Sequence, residues 1–244
     1  MKNTIRLLTT ITLAMALQAC DSSDPNLVTA PPIQQPPATA RFDVTAVNLT
    51  NAQPLSPITV IAHTDMYSLF AVGVAATAGL EEMAEGGDNS ALIAEAIADA
   101  TNVFTTGSGA GAIGPAGTET VSLIVLESEL ASLQVSVATM LVNTNDAFTA
   151  LNGFDVSSMA IGDSVTFNTI AYDAGTEDDT EAAADVPGPA GGGEGFNAAR
   201  SDAADRVSMH GGVVTQDDGF ATSDLTEQHR FDNPVMRIRI ERTL

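Results

Sequence analysis

Lysine is nearly absent from this sequence, occurring once in 244 residues, at position 2, against 31 acidic side chains. Between Arg41 and Arg200 there is no Lys or Arg at all. The formal net charge is −22, and beyond the first twenty residues 7 arginines face 31 acids, a net of −24. A field of that sign repels phosphate backbones and excludes a nucleic-acid partner. It also disfavours anionic membrane surfaces. Tryptophan is missing and aromatics make up 5% of the chain, so the core must be built from Val, Ile, Leu and Ala. A glycoside hydrolase would also lack a tryptophan platform for its sugar. The single cysteine excludes an intramolecular disulfide. No Gly-x-Ser-x-Gly elbow and no His-Glu-x-x-His helix occurs, so serine and zinc hydrolases lack their signatures. The chain is nevertheless built to fold. Its residues are 44% hydrophobic with a mean hydropathy of +0.14, whereas unfolded chains pair high charge with low hydrophobicity.

The N-terminus carries the compartment information. Lys2 and Arg6 precede a short apolar stretch, Leu7 to Leu17, too short to span the ~30 Å hydrocarbon layer as a helix. The segment ends Leu17-Gln18-Ala19-Cys20, which resembles a bacterial lipobox, where cleavage precedes the Cys and lipid is attached to it. Residues 1–19 are thus expected to be a lipoprotein signal, and Cys20 the membrane attachment through lipid. The expected location is outside the cytoplasm, anchored to the bacterial cell envelope at its periplasmic face or at the cell surface. Asp21 marks inner-membrane retention in some sorting systems and not in others, so the choice of membrane stays open. Residues 20–39 hold Pro25, Pro31, Pro32, Pro36 and Pro37 among small polar residues and read as an extended tether.

The folded part is expected over 40–244. Strand-like runs occur at Arg41–Leu49, Ile58–His63, Thr118–Leu126, Gln134–Val142, Ser164–Ala171, Arg206–Val214 and Pro234–Arg242. The last alternates cleanly, with Met236, Ile238 and Ile240 on one face and Arg237, Arg239 and Glu241 on the other. Helical spacing is clear only over Ser90–Phe104, while Leu69–Glu85 reads as a weaker helix. Gly107–Gly114 follows a predicted helix rather than a strand, so it reads as a flexible connector and not as a dinucleotide loop. Val186–Gly195 reads as a mobile loop. The fold class is all-β, an antiparallel β-sandwich with one or two short helices in its connections.

Three acidic loops follow or flank these strands: Asn143–Phe148, Tyr172–Asp179 and Gln216–Gly219, with Asp224 beyond. Carboxylates crowded at loop tips repel one another unless a cation shares them. Calcium takes about six to eight oxygens, and loops at one end of a sandwich can supply them. Asp173-x-x-x-Glu177 around Gly175 lets a tight turn fold two carboxylates inward. Solvated acidic surface is the competing reading, and spacing alone leaves both open.

The runs IAYDAGTEDDTE, VSMHGGV and HRFDNPVMRIRIER resemble bacterial proteins with a spondin-type N-terminal domain, the domain first known from F-spondin. TNDAF fits the family's Asp-aromatic stretch, with Ala147 intervening before Phe148. The resemblance spans about Ala40 to Leu244. It implies a C2-like sandwich with a calcium ion at one end, held by Asp146, Asp173 and Glu177. Relatives carry Asp at the last position, so Asp178 is an alternative ligand. His229 and Asp232, beside the final strand, form a corner or support the metal from behind.

Function follows from these expectations. The leading one is a non-enzymatic, calcium-binding, lipid-anchored domain for adhesion, matrix contact or assembly with an envelope or extracellular protein. An envelope hydrolase using His210, in Met209-His210-Gly211-Gly212, is the enzymatic rival. A calcium-dependent glycan-binding module is the third.

Overall fold

The computed structural model describes residues 35–202 and 204–244. The signal segment, Cys20 and most of the tether therefore lie outside the described residues.

Among the described residues ten strands form, at β1 (Thr39–Asn48), β2 (Thr59–His63), β3 (Val103–Ser108), β4 (Thr118–Leu126), β5 (Gln134–Met140), β6 (Ala147–Asp155), β7 (Ser164–Thr169), β8 (Ala171–Asp173), β9 (Ser208–Met209) and β10 (Met236–Arg242). Two helices, α1 (Ala78–Gly86) and α2 (Ser90–Ala98), join β2 to β3. The strands build two antiparallel sheets, β4-β1-β10-β7 and β3-β2-β5-β6-β8-β9. The fold is an all-β sandwich.

Period-2 alternation decides the smaller sheet. Phe42, Val44 and Ala46 of β1, Val121, Leu123 and Val125 of β4, and Ile238 and Ile240 of β10 turn inward and are buried. They meet Val60, Ala62, Val135 and Val137 from the larger sheet. Burying each such side chain contributes about 1.5–3 kcal/mol before conformational entropy is charged. The middle of the larger sheet is buried on both faces. Its outer side, with Ile61, Ala138, Met140, Phe148 and Ala150, is covered by Leu80 and Met83 of α1 and Leu92 and Ala96 of α2. All five residues of β2 are consequently buried, including Thr59 and His63, where an alternation would expose every second one.

Several local expectations change. The helix predicted to Phe104 stops at Ala98, because the Asp99 N–H turns back to Ala96 O and Asn102 bonds the Asp99 carboxylate. Val103 then opens β3. The stretch Gly107–Gly114 is no slack connector. Gly107 lies in β3, Gly109 N–H bonds Ile58 O, and Ile113 bridges to Leu55. Val186–Gly195 is likewise packed, with Val186 fully buried and Gly193 N–H on Val186 O at 2.9 Å. Arg206–Val214 shrinks to the two residues of β9.

The turns at one pole of the sandwich are tied together by amides. Asn48 bonds Gln53 O and Ile113 O, and Gln53 bonds Asn143 in both directions. The same pole holds the Asp146 and Asp173 ends of β6 and β8, which pair as Ala147 with Asp173. The chain enters the sandwich at the other end of β1.

Candidate metal centre

Asp146 ends the β5–β6 turn and is fully buried. One carboxylate oxygen, Oδ2, accepts from Thr176 N–H at 2.8 Å, Thr176 Oγ1–H at 3.1 Å and Glu177 N–H at 3.1 Å. The other, Oδ1, is buried with no partner. The turn that delivers those amides depends on Gly175, whose φ of +70° favours glycine. A Cβ there would also run into the Arg206 backbone carbonyl. Asp173 bonds the Gly175 N–H through Oδ1 at 2.6 Å.

Asp146, Asp173 and Asp179 each place one oxygen so that all lie within 4.8 Å of one another. Two oxygens on one calcium ion sit at most about 5 Å apart, twice a metal–oxygen distance of ~2.3–2.6 Å. The trio fits that limit, and the orphaned Asp146 Oδ1 is the kind of atom a cation satisfies. Carbonyls and water would complete the shell. Among the described residues no arginine pairs with any of the three.

The electrostatics match an uncompensated acid cluster. Burial, then Asp146 and Asp179, push the Asp173 carboxyl up to about 7. Asp146 is raised by burial against the pull of the Thr176 and Glu177 amides. His210 flanks the group, with Nε2 at 3.5 Å from Asp179 Oδ1. Burial opposes charge on this ring, but Asp179, Asp173 and Asp146 outweigh it and raise its proton affinity.

The trio therefore takes in Asp146 and Asp173 and adds Asp179; it does not include Glu177 or Asp178. Glu177 instead lines a cavity of about 280 Å³ together with Asn145, Asp178, Asp185 and Glu194. Burial, then Glu85, Asp146 and Asp185, push Glu177 up to about 8. Glu85 comes from α1 and is 1% exposed, and its Oε2 accepts from Asn197 N–H. Asp178 is exposed on the same cavity.

His229 and Asp232 stand apart from the trio. His229 Nδ1 accepts from Thr226 N–H at 3.0 Å, and the ring lines a separate groove of about 540 Å³. Asp232 is exposed beside Gly211 and Gly212, while Arg230 pairs with Asp218 instead of with it. The residue of that corner that reaches the site is Phe231, packed on His210 with ring centroids 5.5 Å apart. Among the histidines, His63 makes the closest serine contact, 2.7 Å from Ser136 Oγ, but both residues are fully buried.

The sequence analysis does not place Asp179 among the metal ligands, and it gives His210 only to the enzymatic alternative. Asp179 lies in the acidic run Tyr172–Asp179 and His210 in VSMHGGV, but nothing local to either segment shows that the two meet.

The family model Spondin_N matches residues 49–186, more than half of the chain, and the protein belongs to that family. The matched stretch contains Asp146, Asp173, Glu177, Asp178 and Asp179, while β1, His210 and β10 lie outside it. Membership suggests an extracellular, matrix-type role in protein interaction. No curated protein matches the chain.

Proposed function

We propose that this protein is a non-enzymatic, calcium-binding interaction module, held on the bacterial envelope by lipid on Cys20 and serving adhesion or matrix contact. The observation that carries the calcium reading is the convergence of three carboxylates, one of which, Asp146, also has a buried, partnerless oxygen. Asp146, Asp173 and Asp179 would hold the ion. Its charge would offset their mutual repulsion and link the β5–β6 turn to the segment after β8. Asp146 then joins two functions, gathering the Thr176 and Glu177 amides with Oδ2 and offering Oδ1 to the metal. The lipid anchor rests on the Leu17–Cys20 motif and on the Pro-rich stretch behind it.

Titration calorimetry of the purified protein with calcium tests the core of this reading. Binding is expected at a Kd of about 0.1–1 mM, the range of extracellular modules, with magnesium weaker. No heat and no melting shift with calcium would leave the acidic pole as solvated surface. Cys20→Ser should release the protein from membranes, and mass spectrometry of wild type should find acyl chains on Cys20. Cleavage of an ester, glycoside or peptide substrate, lost in His210→Ala, would favour the enzymatic rival. Chelator-sensitive binding on a glycan array would make the partner a glycan.

A further inference from the structure

The pole buries a second polar atom without a partner, His210 Nε2. A site made of carboxylates alone leaves this ring without a role, yet the fold fixes it firmly. His210 is 7% exposed, and Phe231 packs beside it. Gly212 N–H donates to Nδ1 at 2.9 Å. A backbone amide keeps its hydrogen, so Nδ1 must be the accepting nitrogen and the neutral ring carries its own hydrogen on Nε2. A second proton would have to sit on Nδ1, directly against the Gly212 N–H. Nε2–H faces Asp179 Oδ1 at 3.5 Å, an ion-pair distance slightly long for a hydrogen bond. Asp179 is the exposed member of the trio.

We propose that His210 is a positioning residue: its Nε2–H steers the Asp179 carboxylate toward Asp146 and Asp173, and the ring offers no lone pair to the metal. The consequence is selectivity. A protonated ring nitrogen cannot ligate, so the centre stays all-oxygen and favours hard cations such as calcium over zinc, which seeks imidazole. This inference rests on the calcium centre proposed above.

Long-range ¹H–¹⁵N NMR of the His210 ring reads the tautomer directly, first in chelator and then with calcium or zinc. The expected result is hydrogen on Nε2 in all three conditions, and none on Nδ1 once calcium is bound and offsets the carboxylates that raise the proton affinity of the ring. Calorimetry of variants supplies the second arm. His210→Gln retains a donor and should keep calcium affinity within about threefold, whereas His210→Ala should lose about tenfold or more, as outer-shell partners of metal ligands do. Zinc at the same concentration should not displace calcium from wild type. A ring with its hydrogen on Nδ1, or an Nε2 signal moved to that of a ligating nitrogen, overturns the proposal. Wild type that binds calcium with an Nδ1–H ring removes the role of His210 alone. Wild type that binds no calcium removes the centre itself. Should His210→Ala fail to fold, the wild-type ring spectrum still decides.

Discussion

Asp146→Asn separates the two jobs of this carboxylate. In the chelated protein the substitution removes one of three crowded negative charges. The asparagine carbonyl can take over the Thr176 and Glu177 donors that Oδ2 accepts. Its NH₂ then stands where Oδ1 was unpartnered and carries no charge to repel Asp173 and Asp179. The apo variant should therefore melt no lower than apo wild type. Calcium reverses the order. A site with Kd of ~0.1 mM in about 10 mM calcium adds roughly 2.7 kcal/mol to the folded state. For a domain of ~200 residues each kcal/mol moves Tm by about 2–4 °C, so wild type should gain roughly 5–11 °C. Asp146→Asn should gain almost none, and the two melting curves cross. Asp146→Ala is the control, since it strands the buried Thr176 and Glu177 amides at about 1–3 kcal/mol for each unsatisfied group. It should melt below wild type even in chelator. Scanning calorimetry in chelator and in calcium measures all six conditions. A calcium shift retained by Asp146→Asn would refute the assignment of Oδ1, and an apo Asp146→Asn as unstable as Asp146→Ala would refute the division of labour.

Other expectations follow the same geometry. Asp179→Asn should abolish the calcium-induced Tm shift while Glu177→Gln leaves most of it, because only Asp179 joins the trio; the opposite pattern would restore Glu177 as the ligand. In chelator, stability should fall as pH rises from about 5 to about 8. Burial holds Asp173 up to about 7 and Glu177 up to about 8, so the folded state binds more protons than the unfolded one across that window. Buried His63, lowered by desolvation, opposes this only below its ordinary value of 6.5. A Tm series that climbs from pH 6 to 8 without calcium would contradict the cluster. Gly175→Ala should lose the calcium response and destabilise the chain by about 1–2 kcal/mol for the backbone alone, with more from the Arg206 contact; unchanged calorimetry would show that the turn relaxes freely.

The sandwich was legible where one face is wet. β4 occupies the expected span, and Met236, Ile238 and Ile240 point inward as their alternation requires. β3 was hidden because Phe104 continued the helical spacing of Ile93, Ala96, Ile97 and Ala100, and nothing local outweighs that spacing until the Asp99 turn is seen. β6 was hidden because its small residues owe their burial to tertiary packing rather than to hydrophobicity of their own: Ala147 enters the core between the sheets, Thr149 bonds Thr169, and Ala150 lies in the core under the helices. At the site, Asp146 and Asp173 could be proposed because each ends a strand at a turn. The third carboxylate could not be chosen locally. Glu177 is drawn to one side by Gly175 and by its own N–H bond to Asp146, and its neighbours there include Glu85 from a distant helix. The pairing of His210 with Asp179 depends likewise on β9 lying beside β8.

The ends of the sandwich carry a practical consequence. Leu244 O accepts from Arg41 N–H, so the folded domain starts and finishes side by side, the whole length of β1 away from Asp146. The seven strand steps from Arg41 to Asn48 put about 23 Å between that seam and the far end of β1, the pole that holds the acidic turns. A fusion partner, bead or sensor surface attached at Leu244 would therefore leave the carboxylates facing outward, and a short linker from Leu244 to Pro37 would let the chain be reopened at another turn without cutting the metal loops.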